Sequence, residues 1–213
     1  MRIPRESLIF GGITLATIIV FFGIFLLSGQ SSSKAPEAVD LVGDGSTMLG
    51  KKDASVALVE FGDYQCPACR AAEPVVKQVV REYKDRIKFV YRHYPLPSHR
   101  NAEPAAEAAE AAGEQGKFWE YHGLLYENQE DWSKQSNPRK IFEDYAKELN
   151  LNLDQFRQAL DEHKFLDKIR SDKKAGDVAG ISGTPTFFIN QEKLTGGFGF
   201  DQFKQKLDQA LAK

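Results

Sequence analysis

The chain has 213 residues, enough for one domain with a sizeable core and an additional segment, but short for two full domains. Hydrophobic residues make up 42% of it and charged residues 27%, a balance that excludes wholesale disorder. The net charge is −2 and no stripe of lysine and arginine is present, which argues against binding to nucleic acid.

The first predicted element is an apolar run at residues 8–27. Its 20 residues carry no charge, and a helix of this length spans a hydrocarbon core of about 30 Å. Arg2 and Arg5 precede the run, and no cation follows it until Lys34. The positive-inside rule then predicts a cytoplasmic N-terminus and an exported remainder. We therefore expect residues 1–29 to be the cytoplasmic start and single transmembrane anchor of a cell-membrane protein.

A cleaved secretory signal is the alternative for this segment. The apolar part of such a signal is usually about 7 to 15 residues long, shorter than the run here. The small residues Gly29 and Ser31 nevertheless leave cleavage open, and both alternatives export the domain that follows. Residues 30–50 are rich in serine, glycine and aspartate without a helical or strand period, which predicts a flexible linker.

A strand, a helix and a second strand are predicted next. Residues 56–61 form a short apolar run that is β-branched at its start, as in a buried strand. Cys66 opens a helix with apolar residues at helical spacing, in which Pro74 predicts a kink. Residues 87–94 form the second strand. The order strand, helix, strand implies a right-handed crossover between parallel strands.

The remaining chain is predicted to be mostly helical before a final hairpin. Residues 101–179 are helical in character, with short breaks of glycine, asparagine and serine. Residues 186–190 and 193–195 predict a β-hairpin, and residues 201–211 an amphipathic helix. A β-α-β unit, a helical insertion, a hairpin and a last helix together predict an α/β protein with helices packed on a sheet.

The chain contains only two cysteines, Cys66 and Cys69. A disulfide between them closes almost no loop and adds little stability, which indicates a chemical role. A thiolate at the start of a helix is stabilised by unpaired N–H groups and by the helix dipole. Pro67 suits the first turn, where its missing N–H has no partner to lose. We predict that Cys66 is the nucleophile and that Cys69, three residues on and on the same face, resolves the mixed disulfide.

The same cysteine spacing also occurs where two cysteines supply half of the ligands of a zinc site, and where they form an inert structural disulfide. Structural zinc takes four ligands, but the chain has no further cysteine and no histidine pair at zinc-ligand spacing. Its histidines are His93, His99, His122 and His163. We therefore expect no metal and no cofactor other than the redox-active Cys66-Cys69 disulfide.

Three segments resemble the DsbA-like disulfide oxidoreductases, a branch of the thioredoxin fold. They are residues 59–69 (VEFGDYQCPAC), 91–96 (YRHYPL) and 183–186 (GTPT). The resemblance implies a thioredoxin-like α/β domain over residues 51–213, with an inserted helical domain at about 98–180. It is far more specific than the cysteine spacing alone.

Three further site residues follow from this resemblance. Glu60 matches a buried acid six residues before the nucleophile, where it would take the proton of Cys69 if burial raises its pKa. Pro185 matches the family's cis-proline, which would place the backbone of Thr184 against the disulfide to bind an extended substrate. From the residues alone, Glu60 is also compatible with an exposed strand end, and Thr184-Pro185 with a simple turn.

Pro67 and Ala68, between the cysteines, depart from the Pro-His of the family's best-known oxidases. A histidine there stabilises the thiolate, and a more stable reduced form makes a stronger oxidant. The expected function is a protein disulfide oxidoreductase that introduces disulfides into exported proteins. A reductase or isomerase with the same residues remains an alternative, as does a redox-silent binding or chaperone module.

The expected partners follow from that chemistry. Substrates are exported proteins with cysteine thiols, in a compartment where disulfides persist. An oxidase must itself be reoxidised, which implies a redox partner in the membrane that the anchor keeps close at high effective concentration. No dimerisation segment is recognised, so a monomer is expected.

Overall fold

The computed structural model describes residues 39–43, 45–195 and 197–213. By its internal contacts, the segment Val39–Lys213 forms one unit. The predicted anchor at residues 1–29 lies outside the described residues, as do residues 30–38 and 44 of the predicted linker. Within the described ranges, no helix has both the length and the apolar character needed to cross a membrane.

The unit is organised around five strands. They are β1 Thr47–Gly50, β2 Ala57–Gly62, β3 Lys88–His93, β4 Thr186–Ile189 and β5 Glu192–Lys193. They form a sheet in the order β1-β3-β2-β4-β5, in which only β2 and β3 run parallel. The predicted strands and hairpin agree with β2 to β5 to within one or two residues. The apolar runs of β2, β3 and β4 are buried in the sheet, whereas the two residues of β5 are exposed at its edge.

The predicted linker at residues 30–50 is wrong at its C-terminal end, where β1 forms. Thr47 lies opposite Tyr91 in an antiparallel pair with β3. Gly50 ends the strand with φ +83°, and a Cβ there would lie 2.5 Å from the carbonyl oxygen of Ile87. Only glycine fits this turn without strain. Since the partner strand is distant in sequence, no local period could show this pairing.

Six helices stand between β3 and β4 in the described part of the chain. The full helix list is α1 Pro67–Tyr83, α2 Ala102–Glu114, α3 Phe118–Glu127, α4 Gln129–Ser133, α5 Arg139–Glu148, α6 Leu153–Asp161, α7 Leu166–Val178 and α8 Phe200–Leu211. Helices α2 to α7 are the predicted insertion, so the predicted α/β sheet with an inserted helical segment is observed.

The alternation of side chains along β2 decides what lies behind the cysteines. Leu58 belongs to the core between the sheet and helices α1 and α8. Val59 and Phe61 belong to the core on the opposite face. Because side chains alternate between faces, Glu60 points to the same face as Leu58. The fold therefore places a buried carboxyl group beneath helix α1.

Candidate active site

Helix α1 presents Cys66 as its N-cap residue. Cys66 has extended backbone angles (φ −74°, ψ 121°), as is usual before a proline, and Pro67 occupies the first turn. The Cys66 side chain makes no capping hydrogen bond to the helix. The first N–H groups of α1 and the positive end of its dipole are therefore next to the sulfur.

The Cys66 sulfur is strongly acidic. Its pKa is lowered from 9.0 to about 5, first by a hydrogen bond with the Cys69 side chain, against desolvation that raises it. The Thr184 side chain and the backbone N–H groups of Cys69 and Ala68 lower it further. Cys66 is therefore a thiolate at neutral pH, which is the form that attacks disulfides.

Cys69 has the opposite character. It is 1% exposed, and its pKa is raised well above the usual value by burial, by the hydrogen bond with Cys66 and by the nearby Glu60 carboxyl group. The backbone N–H of Asp63 donates to its sulfur over 3.5 Å. Both cysteines are free thiols in this structure. The pair is thus split into an acidic outer thiol and an inner thiol that holds its proton.

Glu60 lies in β2 and is 1% exposed. Its pKa is raised well above 4.5, first by desolvation and then by the charge of Glu73. Within the described residues, Oε2 of Glu60 is buried without a hydrogen-bond partner. Such a carboxyl group is protonated more readily than one in water, and it is close enough to Cys69 to raise the pKa of that thiol.

The loop before β4 covers the other side of Cys66. Its peptide bond between Thr184 and Pro185 is cis, and the Cys66 thiol donates to the Thr184 carbonyl oxygen over 3.3 Å. The Thr184 hydroxyl is buried and has no hydrogen-bond partner among the described residues. The Thr184 side chain lowers the pKa of Cys66, so its hydroxyl is available to the thiolate form. The structure therefore brings the predicted residues Cys66, Thr184 and Pro185 together.

Asp63 holds the turn that leads into α1, a role the sequence analysis did not assign. Its buried carboxylate accepts hydrogen bonds from the backbone N–H of Gln65 (2.7 Å) and of Leu96 (2.9 Å). The same group pairs with Nδ1 of His99 over 2.8 Å. An aspartate two residues before the residue it binds is a common turn signal, but the contacts with Leu96 and His99 are not local.

Gln129, at the start of α4, clamps the same turn from the insertion. Its Nε2 donates to the carbonyl oxygens of Tyr64 (2.7 Å) and Cys66 (3.0 Å). Gln129 is 3% exposed, so these bonds form away from water. The helical insertion therefore fixes the backbone at the nucleophile.

A row of buried polar side chains, joined by hydrogen bonds, lies behind the cysteines. The Tyr64 hydroxyl bonds to Nδ1 of His122 over 3.0 Å, and Nε2 of His122 lies 3.3 Å from Oε2 of Glu73. Glu73 is also 3.5 Å from the Lys77 ammonium group at the surface. Glu73, in this row of hydrogen-bonded side chains, supplies the charge that raises the pKa of Glu60 further.

Each of the four histidines pairs with a different carboxylate. The pairs are His93 with Glu110, His99 with Asp63, His122 with Glu73 and His163 with Glu107. Among the described residues, no three side chains of histidine, cysteine, aspartate or glutamate are grouped as metal ligands.

Comparison with known proteins identifies the family. The profile of the family described as "Thioredoxin" matches residues 43–209. The crystal structure of oxidised BdbD from Bacillus subtilis is similar at 26% identity and TM-score 0.72, over 79% of this chain and 94% of that chain. Alpha-DsbA1 from Wolbachia pipientis shares the fold at 22% identity and TM-score 0.73, over 84% of this chain and 96% of its own.

The chain belongs to this thioredoxin family. The predicted resemblance to DsbA-like thiol-disulfide oxidoreductases is confirmed, and with it the predicted enzyme class, disulfide exchange. The BdbD chain is covered almost completely, so it has about the extent of the compact unit Val39–Lys213 of this chain. The described domain is therefore a suitable unit for experiments in solution.

Curated relatives match the same chain within longer proteins. A Na⁺/H⁺ antiporter NhaA 1 from Salinispora arenicola is 38% identical over 170 residues, which are 79% of this chain and 25% of the antiporter. The chain thus spans about a quarter of the length of that relative. Its name describes the longer protein, of which this chain matches one part.

Proposed function

We propose that the chain is an oxidase that introduces disulfides into exported proteins by exchange through Cys66. The observation that carries the proposal is the pKa of Cys66, lowered to about 5 at the N-terminus of α1. Stabilising the thiolate stabilises the reduced pair, and a stable reduced form makes the disulfide a strong oxidant. Ala68 replaces the family's histidine, but Cys69, Thr184 and backbone N–H groups supply the stabilisation instead.

The first step is attack by a substrate thiolate on the Cys66 sulfur of the oxidised pair. A bond forms between the substrate and Cys66, and the Cys66-Cys69 bond breaks. The Cys69 thiolate that leaves is buried, so it takes a proton from Glu60, which holds one because of its raised pKa. We assign Glu60 as the general acid of this step and as the general base of its reverse.

The second step releases the product. Another substrate thiolate attacks the substrate sulfur of the mixed disulfide, a substrate disulfide forms, and Cys66 leaves as a thiolate. Two electrons have then passed from the substrate to the pair. The low pKa of Cys66 makes it a good leaving group, which favours this step over return of the substrate.

Thr184 and Pro185 form the substrate-binding edge in this proposal. The Thr184 carbonyl oxygen is within hydrogen-bond reach of the Cys66 sulfur. An extended substrate segment placed beside this backbone brings its own cysteine to Cys66, as an added strand does at a sheet edge.

The remaining features of the proposal are supported by the sequence. Residues 1–29 anchor the chain in the cell membrane with a cytoplasmic N-terminus, a linker follows, and the catalytic domain lies outside. An anchored monomer then meets a membrane redox partner that reoxidises the pair. The apolar run at residues 8–27 supports the anchor.

Two measurements on the domain of residues 39–213 test the direction of transfer. Equilibration with glutathione is expected to give a potential well above the roughly −270 mV of thioredoxin. Oxidised protein is expected to restore activity to a reduced, unfolded ribonuclease without added oxidant. A potential near that of thioredoxin, with no transfer to the ribonuclease, would make the protein a reductase.

A cysteine variant separates exchange from silent binding. Cys69→Ala keeps the nucleophile and removes the resolving thiol, so mixed disulfides with substrate are expected to accumulate. The matched variant Cys66→Ala leaves only the buried thiol and is expected to form none. Equal binding of substrate by both variants, without any covalent adduct, would favour a binding module.

A further inference from the structure

A second concave site lies on the flank of α1, between that helix, β1, β3 and the start of α3. It has a volume of about 740 Å³, within the usual range for small-molecule pockets of roughly 300 to 1,000 Å³. Neither cysteine lines it, and neither does Thr184 or Pro185. It is therefore distinct from the disulfide-exchange site.

The floor of this cleft is apolar. Val76 and Val80 come from α1, Leu49 from β1, Phe89 from β3 and Trp119 from α3. The rings of Phe89 and Trp119 lie 5.6 Å apart, centroid to centroid. Val80, Leu49 and Trp119 are only partly buried, so their apolar surface is still in contact with solvent. Covering it would be favourable.

The rim of the cleft is positively charged. Lys51, Arg81 and Lys84 are exposed, and among the described residues they form no ion pair. Lys77 differs from them, because Glu73 and Glu127 neutralise it at 3.5 and 3.0 Å. Asp85 is the one exposed carboxylate in the lining of the cleft within the described ranges. The protein as a whole has a net charge of −2, whereas this rim is locally positive.

The cleft is also elongated. Its lining includes one stripe that extends from Glu73, in α1, to Lys84, the C-cap residue of that helix. At 1.5 Å per residue this stripe is about 16 Å long. The buried end, at Glu73 and His122, is enclosed by the insertion, whereas Arg81 and Lys84 stand at the open end. An apolar floor with free cations at its open end fits a ligand that is a chain with an anionic head.

We propose that this cleft binds a free single-chain amphiphilic carboxylate of the fatty acid class. The alkyl chain lies along Val76, Val80 and Phe89, and the carboxylate meets Arg81 and Lys84 at the open end. Charge selects the head group and the apolar floor selects the chain. Neither interaction uses the cysteines.

The test is calorimetric titration of the domain of residues 39–213 with laurate, below the concentration at which laurate forms micelles. Dodecyltrimethylammonium has the same chain length with a cationic head, and acetate has the head group without the chain. Laurate is expected to bind at one site, and the two comparison compounds are not. Because the rim cations are exposed, laurate should bind more weakly as the salt concentration rises.

A charge-reversed variant locates the site. In Arg81→Glu/Lys84→Glu, laurate is expected to bind at least roughly tenfold more weakly, a loss of about 1.4 kcal/mol. The matched control Lys147→Glu/Lys174→Glu makes the same change of charge at exposed residues outside the cleft, and it should bind as the unchanged domain does. Cys66→Ser/Cys69→Ser should also bind unchanged, which separates this site from the proposed oxidase activity.

Several outcomes would overturn the proposal. Equal affinity for laurate and dodecyltrimethylammonium would show an apolar groove without charge selection. Equal weakening in both charge-reversed variants would place the binding elsewhere. If laurate gives no heat and the domain sediments as a dimer that Arg81→Glu/Lys84→Glu disrupts, the occupant is a second copy of the domain.

Discussion

The Cys66 sulfur lies 3.3 Å from the carbonyl oxygen of Thr184, 118 residues further along the chain, and donates to it when protonated. This contact joins the N-terminus of α1 to the cis peptide bond before β4. Phe61, near the end of β2, lies opposite Thr186 in β4, so one pair of strands holds both partners. The nucleophile and the proposed substrate-binding backbone are therefore fixed by the same sheet.

The first prediction concerns the acidity of Cys66. Cys69→Ala removes the hydrogen bond that contributes most to the low pKa of Cys66, so that pKa is expected to rise from about 5. A hydrogen bond to a charged group is worth about 1.5 to 3 kcal/mol, which corresponds to roughly one to two units. Absorbance of the thiolate at 240 nm against pH measures it. An unchanged midpoint would mean that the helix N-terminus acts without Cys69.

Thr184 offers a test of the same acidity from the opposite side. Thr184→Val keeps the backbone carbonyl group and a side chain of similar shape but removes the hydroxyl that stabilises the thiolate. The pKa of Cys66 is expected to rise by about half a unit to one unit. Thr184→Ser retains the hydroxyl and should restore the lower value. If serine and valine have the same effect, the hydroxyl is not the donor.

Glu60 is predicted to move the proton of Cys69. Glu60→Gln keeps the size of the side chain but removes its acid-base function, so the Cys69 step should slow by at least roughly tenfold near neutral pH. The pKa of Cys66 should hardly change, since Glu60 is not among the groups that mainly lower it. Stopped-flow fluorescence of oxidation by glutathione measures the rate. Glu82→Gln, at an exposed position of α1, is the control.

The same residue predicts how stability depends on pH. Burial raises the pKa of Glu60 above 4.5, so above that pH the folded protein keeps a proton that the unfolded chain releases. The free energy of unfolding then falls as pH rises through this window. Reduced Cys66 acts in the opposite direction, because its pKa is lowered on folding and its contribution grows as pH rises.

Comparing reduced wild type with reduced Glu60→Gln cancels the contribution of Cys66. Between about pH 5 and pH 8, urea unfolding is expected to show a greater loss of stability in the wild type than in Glu60→Gln. Parallel curves for the two proteins would contradict a raised pKa of the Glu60 carboxyl group.

The sequence predicted the parts of the site that local pattern or close resemblance defines. Cys66 and Pro67 open a helix by rules that act within one turn. The contacts of His99 with Asp63 and of Gln129 with the Cys66 carbonyl oxygen join residues 36 and 63 positions apart. These contacts depend on how the insertion packs against the sheet. The periodicity of apolar residues along the sequence does not predict such long-range packing. For the same reason β1 is recognisable only from its pairing with β3.

Gln129 provides a prediction of stability at the site itself. Gln129→Ala removes the donor of the buried Tyr64 carbonyl oxygen and leaves the Cys66 carbonyl oxygen with the backbone N–H of Arg70 alone. One unsatisfied buried group costs about 1 to 3 kcal/mol, so the free energy of unfolding should fall by about that amount. Exchange should slow as well, because the turn before α1 loses its clamp from the insertion.

The neighbouring residue is a matched control for this change. Glu130 is also in α4, but its side chain is 70% exposed and pairs with the exposed Arg70. A surface ion pair contributes about 0 to 1 kcal/mol, so Glu130→Ala should alter stability little. Urea unfolding of the two variants in parallel gives the comparison. Equal losses would mean that Gln129 acts through the helix and not through the two carbonyl oxygens at the nucleophile.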